Sequence, residues 1–480
     1  MTSTLLVRAD GGGPLGAGHA MRQLALAHAW ADRGGQVVIA TAHLADELAT
    51  RWRDAAFAVR QLPGDRDVAA LLDLAAADAP DWISFDGYHL APTLQEAVAR
   101  AGHRLLVVDD HGALGRYFAE AIVDQNLGAA AGDYSDRPPG SVVLLGPRYA
   151  LLRREFGHDL PARSFAEGQT LRVLLTLGGS PDRAVLDVIK TGVRNARCTT
   201  DVVEVGVGMP VLDMAALMAS CDLAVSAAGS TCWELCAAGL PAALVVTAPN
   251  QAPLAARLAD AGAAVQLGPS AELTAERVAA DIDGLAHDPE ARAVMAGRGR
   301  ALVDGRGAVR VVAVMRSRQL SLRSAVAADA RLLWEWANDP VVRAAAFSQE
   351  PIPWTTHQTW LSERLREPAC RIYIVERQGR PLGQIRFQAA GPAPGRTEVG
   401  VSLAAGSRRE GWGAPLIISG MARLRDEGFD GAVHALVKTV NVASARAFET
   451  AGFERMPDQV DSAGVIHMVA GRGQAGRDGS

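Results

Sequence analysis

A histidine stands at the mouth of a glycine-rich loop. The segment Gly11-Gly12-Gly13-Pro14-Leu15-Gly16-Ala17-Gly18-His19 joins the apolar run Leu5-Leu6-Val7 to a helical stretch from about Ala20 to Arg33. Glycines let a backbone turn tightly and approach a ligand closely. A helix N-terminus adds unpaired N–H groups and the positive end of a dipole. An imidazole there either moves a proton near neutral pH or merely caps the helix. The loop is not the six-position dinucleotide fingerprint.

Two further corners have the same character. Leu175-Thr176-Leu177-Gly178-Gly179-Ser180 and Ser226-Ala227-Ala228-Gly229-Ser230-Thr231-Cys232-Trp233-Glu234 each put glycine and hydroxyl residues where a strand gives way to a helix. Main-chain N–H groups in such corners hold a diphosphate without metal. Ser230 and Thr231 either touch that ligand or only cap the helix. Glu234, in the first helical turn, either accepts from two ribose hydroxyls or simply complements the dipole. Pro249-Asn250-Gln251 follows the next strand. Asp86 and Asp109-Asp110 also end strands, where they steady His19, bind ligand groups or face water.

A last corner lies near the C-terminus. The strand Glu398-Val399-Gly400-Val401-Ser402-Leu403 leads into Arg408-Arg409-Glu410-Gly411-Trp412-Gly413-Ala414 and a helical run to about Glu427. Arg-x-x-Gly-x-Gly at a strand-to-helix loop offers amides to a pyrophosphate. Asn441 and Ser444 open Asn441-Val442-Ala443-Ser444-Ala445-Arg446-Ala447-Phe448, a capped helix with a glycine stop at Gly452. Glu398 is either a base acting directly or through water, or a structural strand carboxylate.

These corners need elements to position them. Residues 1–155 alternate short apolar runs with helical stretches: strands at Leu5–Val7, Gln36–Thr41, Asp81–Asp86 and Arg104–Asp109 predict a parallel sheet covered by helices. The pattern restarts after a linker near Pro161–Gly168. Strands are expected at Leu171–Leu177, Asp201–Val205, Asp222–Ser226, Ala242–Val246 and Ala264–Leu267, then a helix from about Ala275 to Asp304. Two such units suggest Rossmann-like halves facing a cleft. The third segment holds five of the nine tryptophans (334, 336, 354, 360, 412). A helix Ala327–Asn338 precedes strands Arg371–Arg377, Gly383–Ala389, Glu398–Leu403 and His434–Val437. The expected domains are 1–160, 168–315 and 319–470, with a disordered tail at 471–480. The expected fold class is α/β: two Rossmann-like domains followed by an α+β domain.

Composition bounds the rest. The 480 residues suggest about three domains. A net charge of −5 gives no global basic field for nucleic acid or anionic lipid. No apolar run reaches the roughly 18 residues of a membrane span, and the N-terminus does not read as a secretory signal. Five cysteines lack zinc-type pairing and read as reduced thiols in a cytoplasmic protein. No metal is expected.

The first 310 residues resemble a known family. Arg8-Ala9-Asp10, Gly16-x-Gly18-His19-x-Met21-Arg22 and Leu24-Ala25-Leu26-Ala27 look like the opening of PseG-type UDP-sugar hydrolases of pseudaminic acid biosynthesis. These are related in fold to MurG-like GT-B glycosyltransferases. Leu144-Leu145-Gly146-Pro147-Arg148-Tyr149-Ala150-Leu151-Leu152-Arg153 matches a second family block. The resemblance implies a catalytic His19. It also implies a UDP-sugar held by Gly16, Gly18, Arg22, Gly179, Ser180, Gly229, Ser230, Thr231, Glu234, Asn250 and Gln251. The implied reaction cleaves the anomeric C–O bond of UDP-2,4-diacetamido-2,4,6-trideoxy-β-L-altropyranose.

The last segment is similar to GNAT N-acetyltransferases, in the order and spacing of their acetyl-CoA motifs. That implies acetyl-CoA as co-substrate, held by Arg408, Arg409, Gly411, Trp412, Gly413, Ala414, Asn441 and Ser444. Trp334-x-Trp336-x-Asn338-Asp339-x-x-Val342-Arg343 and His357-x-x-Trp360 resemble PseH-type sugar-nucleotide acetyltransferases and also the broader RimJ/RimL-like group. Phe448 stands where many of these enzymes carry a tyrosine general acid, and Tyr373 is the segment's single tyrosine. The expected protein is a bifunctional enzyme, a monomer or weak homodimer. The rivals are a sugar transferase with another acceptor and a GNAT fold kept only for docking or CoA sensing.

Overall fold

The computed structural model describes residues 3–157, 160, 169–178, 182–206, 213–389, 396–460 and 464–471. The linker expected at 161–168, and the tail beyond residue 471, lie outside them. The chain divides into two compact units, Met1–Val311 and Val312–Ser480.

The first unit holds two parallel sheets. One comprises β1 (Thr4–Ala9), β2 (Gln36–Thr41), β3 (Ala58–Gln61), β4 (Trp82–Asp86), β5 (Leu105–Val108), β6 (Ala121–Asp124) and β7 (Val142–Leu145). Their order is β3-β2-β1-β4-β5-β6-β7. Every pairing is parallel. Leu5, Leu6 and Val7 are wholly buried because helices cover both faces of the central strand. Each such side chain contributes about 1.5–3 kcal/mol.

The second sheet comprises β8 (Leu171–Thr176), β9 (Thr200–Val205), β10 (Leu223–Ala227), β11 (Ala242–Val246) and β12 (Val265–Pro269), ordered β12-β11-β10-β8-β9. It is also parallel. One expectation fails here. The helix read over 275–304 is two helices, Ala275–Ala286 and Pro289–Leu302. Asp288 caps the second by accepting from the Ala291 amide at 2.8 Å, and Pro289 takes the first helical position, where its missing N–H costs nothing.

In both sheets the first strand is flanked by strands reached in opposite directions. These switch points lie between β1 and β4 and between β8 and β10. Crevices at the carboxyl ends of such strand pairs are where ligands bind in open α/β sheets.

The second unit is a seven-stranded sheet of β13 (Ser321–Ser324), β14 (Arg371–Arg377), β15 (Arg380–Ala389), β16 (Thr397–Leu403), β17 (Val433–Lys438), β18 (Glu454–Val460) and β19 (Val465–Ala470). The order is β13-β14-β15-β16-β17-β19-β18, and β16 with β17 is the parallel pair. Tyr373, Ile385, Phe387 and Val399 pack against Leu416, Ile417 and Leu424 of the helix Gly413–Asp426. Gly420 permits that approach: a Cβ there would lie 2.4 Å from Ile385 Cδ1. The expected helix 327–338 begins as a 3-10 turn, Ala327–Asp329, and becomes α-helical over Ala330–Ala337.

Candidate active sites

Carboxylates end four neighbouring strands of the first sheet. Asp10 follows β1, Asp86 closes β4, Asp109 and Asp110 follow β5, and Asp124 closes β6. Buried carboxylates must be paired or neutralised, and these are paired. Asp10 accepts from Thr41 Oγ1 at 2.9 Å, from the amides of Ala42 and His43 at 2.7 and 2.9 Å, and from His89 Nε2 at 2.7 Å. Arg8 Nη1 lies 2.8 Å away. Burial pushes its pKa up, but the hydrogen bonds from His89 and Arg8 win and hold it well below the usual carboxylate range.

Asp86 is the centre of the switch point. It meets His19 Nδ1 at 2.6 Å and accepts from Arg22 Nε and Nη2 at 3.1 and 2.8 Å. Arg22 Nη1 donates onward to Asp110 at 3.1 and 3.2 Å. Asp110 also accepts from Tyr88 Oη at 2.5 Å and Asn126 Nδ2 at 2.7 Å. Burial raises the Asp110 pKa, yet the Arg22 cation and the Tyr88 hydrogen bond hold it far below normal. Burial and Asp110 push the Tyr88 phenol up. Asp109, whose partner is Tyr117 at 2.5 Å, is instead raised by burial.

This network sets the tautomer of His19. A carboxylate only accepts, so Nδ1 carries the proton and Nε2 keeps a lone pair. Arg22 Nη2 lies 3.0 Å from Nδ1, but a protonated Nδ1 cannot accept from it. That nitrogen therefore donates to Asp86 Oδ1. The His19 side chain is 14% exposed, with Tyr88 edge-on at 5.2 Å. Of the readings open for Asp86, holding His19 is the one realised. Arg22 is buried and fully engaged by two carboxylates. In this network it ties Asp86 to Asp110.

The second sheet supplies the facing corner. Gly178, two residues past the end of β8, takes φ 85°; Gly179 and Ser180 lie outside the described residues. Gly229 and Ser230 lead into the helix Thr231–Ala238. Ser230 is its N-cap residue but makes no side-chain cap bond. The capping reading thus fails for Ser230, and its hydroxyl is not spent on the helix. A Cβ on Gly18 would lie 3.7 Å from Ser230 Oγ, so the two corners face each other. Gly16, also in the first loop, takes φ 67°.

Glu234 Oε1 accepts from Arg153 Nε and Nη2 at 2.9 and 2.8 Å. Burial pushes its pKa up, against the Arg153 cation. Asn250 is exposed, while Gln251 Oε1 turns back to accept from the Thr247 amide and hydroxyl.

In the second unit, β16 and β17 pair only through Thr397–Val433 and Glu398–His434. Beyond these residues the parallel strands part, and the helix Gly413–Asp426 begins after the loop that follows β16. Its first N–H groups have no intrahelical acceptor. Arg409 and Gly411 take φ 63° and 75° in the approach to it. Arg408 is tied to Asp339 at 2.8 Å. Trp412 is buried beneath Arg316, whose Cζ lies 3.9 Å from the ring centroid. Both side chains thus shape the loop, and the amides of Gly413 and Ala414 open the helix. Asn441 caps the helix Val442–Thr450 by accepting from the Ser444 amide at 3.2 Å. Phe448 is buried 4.9 Å from Phe453. Tyr373 donates to Glu427 at 2.7 Å, and burial pushes its phenol up to about 12.

Sequence reasoning missed Asp10, Tyr88, Asp124, Asn126 and Arg153 as parts of these networks. The available signal was the recurrence of aspartate at successive strand ends.

Among the described residues, no group of three or more His, Cys, Asp or Glu side chains could hold a metal ion, and no helix is long and apolar enough to cross a membrane.

Residues 187–303 match the glycosyltransferase family 28 C-terminal domain, and residues 319–454 match the acetyltransferase (GNAT) domain. Among solved structures, the chain is similar to Acinetobacter baumannii MurG at 17% identity, over 65% of this chain and 99% of that one, with a TM-score of 0.49. It is also similar to aminoglycoside acetyltransferase AAC(6')-Ib in complex with coenzyme A, at 22% identity over 32% of this chain and 96% of that one, TM-score 0.29. Spermidine N-acetyltransferase from Vibrio cholerae, with CoA and spermine, is 17% identical over 32% of this chain and 95% of that one, TM-score 0.29. No curated protein matches. The chain thus joins a family 28-type glycosyltransferase C-terminal domain to a GNAT acetyltransferase domain.

Proposed function

We propose that the first unit hydrolyses a UDP-sugar and that the second acetylates the amine of that sugar's precursor. The observation that carries the hydrolytic reading is the His19–Asp86 contact of 2.6 Å at the β1/β4 switch point, with Gly18 facing Ser230. His19 Nε2 takes a proton from water. The oxygen forms a bond to the anomeric carbon as the C–O bond to UDP breaks, its electron pair leaving on the β-phosphate. Asp86 stabilises the imidazolium, and the amides at Gly229, Ser230 and Thr231 receive the developing charge on UDP. Gly16, Gly18, Gly179, Ser180, Glu234, Asn250 and Gln251 complete the proposed contacts. Glu234 offers the ribose its Oε2, since Arg153 occupies Oε1.

The motifs of residues 8–27 and 144–153 support UDP-2,4-diacetamido-2,4,6-trideoxy-β-L-altropyranose as substrate and pseudaminic acid formation as the setting. In the acetyl transfer, the 4-amine of the UDP-4-amino sugar attacks the thioester carbonyl. The C–N bond forms, the C–S bond breaks, and CoA leaves as thiolate. The amine's proton passes to Glu398, and the thiolate is protonated from water, since Phe448 has no proton to give and the Tyr373 hydroxyl is bonded to Glu427. Acetyl-CoA lies along Arg408–Ala414, Asn441 and Ser444. The enzyme works in the cytoplasm, as a monomer or weak homodimer. Mass spectrometry of products from UDP-4-amino sugar plus acetyl-CoA tests both steps: free diacetamido sugar, UDP and CoA are expected, and intact nucleotide sugar would overturn the hydrolysis.

The match of residues 187–303 to a glycosyltransferase domain favours a second reading, transfer of the sugar to an acceptor other than water. Incubation with the sugar nucleotide alone separates them, because a transferase releases little UDP.

A further inference from the structure

One face of the second unit's sheet carries charge that the CoA corner does not use. Pairing sets Arg386 opposite Gly400 and Gln388 opposite Glu398 across β15 and β16, and Glu398 opposite His434 across β16 and β17. Directly paired residues share a face. Arg386, Glu398 and His434 therefore stand on one side, while Ile385, Phe387 and Val399 enter the core on the other.

Arg386 has an unusual position for a cation. Its Nε is enclosed and has no hydrogen-bond partner among the described residues. The neighbouring carboxylate, Glu398, has Arg396 at 3.5 Å. What Arg386 does meet is Trp360, with its Cζ 5.1 Å from the ring centroid. Burial pushes the guanidinium's pKa down and Arg364 adds like charge, against the opposing pull of Cys370 and Glu398. A ring face offsets part of the cost of withdrawing a cation from water, but a hydrogen-bonded anion offsets far more. Glycine at 400 keeps the opposite position open: a Cβ there would lie 3.5 Å from Arg386 Nη2.

We propose that Arg386 is the anion-binding residue of the acetyl-acceptor site, its guanidinium fork gripping the diphosphate of a nucleotide amino sugar while Trp360 walls the site and Glu398 faces the amine. A planar fork matches paired phosphate oxygens, which a lysine's point charge does not. The same positive charge repels polyamine acceptors. This inference rests on the reading that the second unit acetylates a UDP-amino sugar.

The test compares Arg386→Gln and Arg386→Lys with wild type in the full chain. The acceptors are the UDP-4-amino sugar and the methyl glycoside of the same amino sugar, which lacks the diphosphate. In the Gln variant, KM for the nucleotide is expected to rise about 10–100-fold, the worth of hydrogen bonds to a charged group. KM for the glycoside and for acetyl-CoA should stay unchanged, and Lys should restore part of the loss. The Gln variant's thermal midpoint should equal or exceed that of wild type, because a largely enclosed cation whose Nε has no hydrogen-bond partner among the described residues has been removed. An unchanged nucleotide KM, an equal rise for both acceptors, or a lowered midpoint overturns the proposal. If wild type ignores the nucleotide but acetylates the glycoside, the functional reading fails by itself. Pyrophosphate inhibition of that acetylation then decides: lost in the Gln variant it supports an anion site at Arg386, and retained it overturns one.

Discussion

Asp86 determines which nitrogen of His19 can act. Replacing it with asparagine keeps the volume but offers an amide N–H to Nδ1, so the proton moves to Nε2 and the lone pair turns away from water. Asp86→Asn is expected to cut kcat for UDP-sugar hydrolysis by about 10²–10⁴-fold, with KM nearly unchanged. Steady-state kinetics would refute the assignment if kcat held. Asp10 carries a different consequence, in stability. Its folded pKa lies well below the unfolded carboxylate value near 4. A depressed carboxylate contributes stability that is present above the unfolded value and is lost as pH falls toward the folded one. Asp10→Asn should therefore cost roughly 3 kcal/mol at pH 7, because Arg8 is left buried without its partner charge. The gap to wild type should close as the pH drops below about 4. Urea melts at pH 7, 4 and 3 measure it, and a gap that stays constant would mean the charge is not its source.

At the scale of elements, two helix starts that look alike in sequence differ in what they spend. Asn441 makes a cap bond to the Ser444 amide, whereas Ser230 makes none. Asn441→Ala is expected to cost about 1 kcal/mol of stability. Ser230→Ala should leave the melting temperature within error but raise KM for the UDP-sugar. Parallel thermal melts and kinetics check both, and a destabilised Ser230→Ala would restore the capping reading. Strand β8 was legible because its run of buried aliphatics is broken only by Arg172 before Thr176 ends it, and the glycine corners were legible because few other residues fit them. Strands β3, β6 and β7 went unread: four residues of Ala58–Gln61 or Ala121–Asp124 are too short to show a period. With β6 unread, Asp124 and Asn126 had no strand end to belong to. The His19–Asp86 pairing joins residues 67 apart, and only the β1–β4 adjacency, a property of sheet order, brings them together. The break at Asp288-Pro289 was readable from the proline and its acidic cap, but the apolar periodicity on either side masked it.

For the whole molecule, the separation into two compact units predicts that the two reactions fail independently. His19 and Asp86 lie in the first unit, Glu398 and the helix at Gly413 in the second. A His19→Ala protein given UDP-4-amino sugar and acetyl-CoA should therefore consume acetyl-CoA at the wild-type rate and accumulate the N-acetylated nucleotide sugar. Mass spectrometry and thiol release report the two quantities separately. Loss of acetylation in that variant would mean the sites depend on one another. Carrying both proposed activities on one chain predicts a proximity effect. A released intermediate starts near a hydrolytic site on the same chain, so at low enzyme concentration part of it is expected to react before it dilutes. An equimolar mixture of His19→Ala and Glu398→Gln proteins lacks that advantage. It should show a lag in free-sugar release that wild type at the same site concentration does not, and the lag should shorten as both proteins are concentrated. Identical time courses would mean that the intermediate equilibrates with bulk solution, and the fusion would then serve co-production of the two activities and not their coupling.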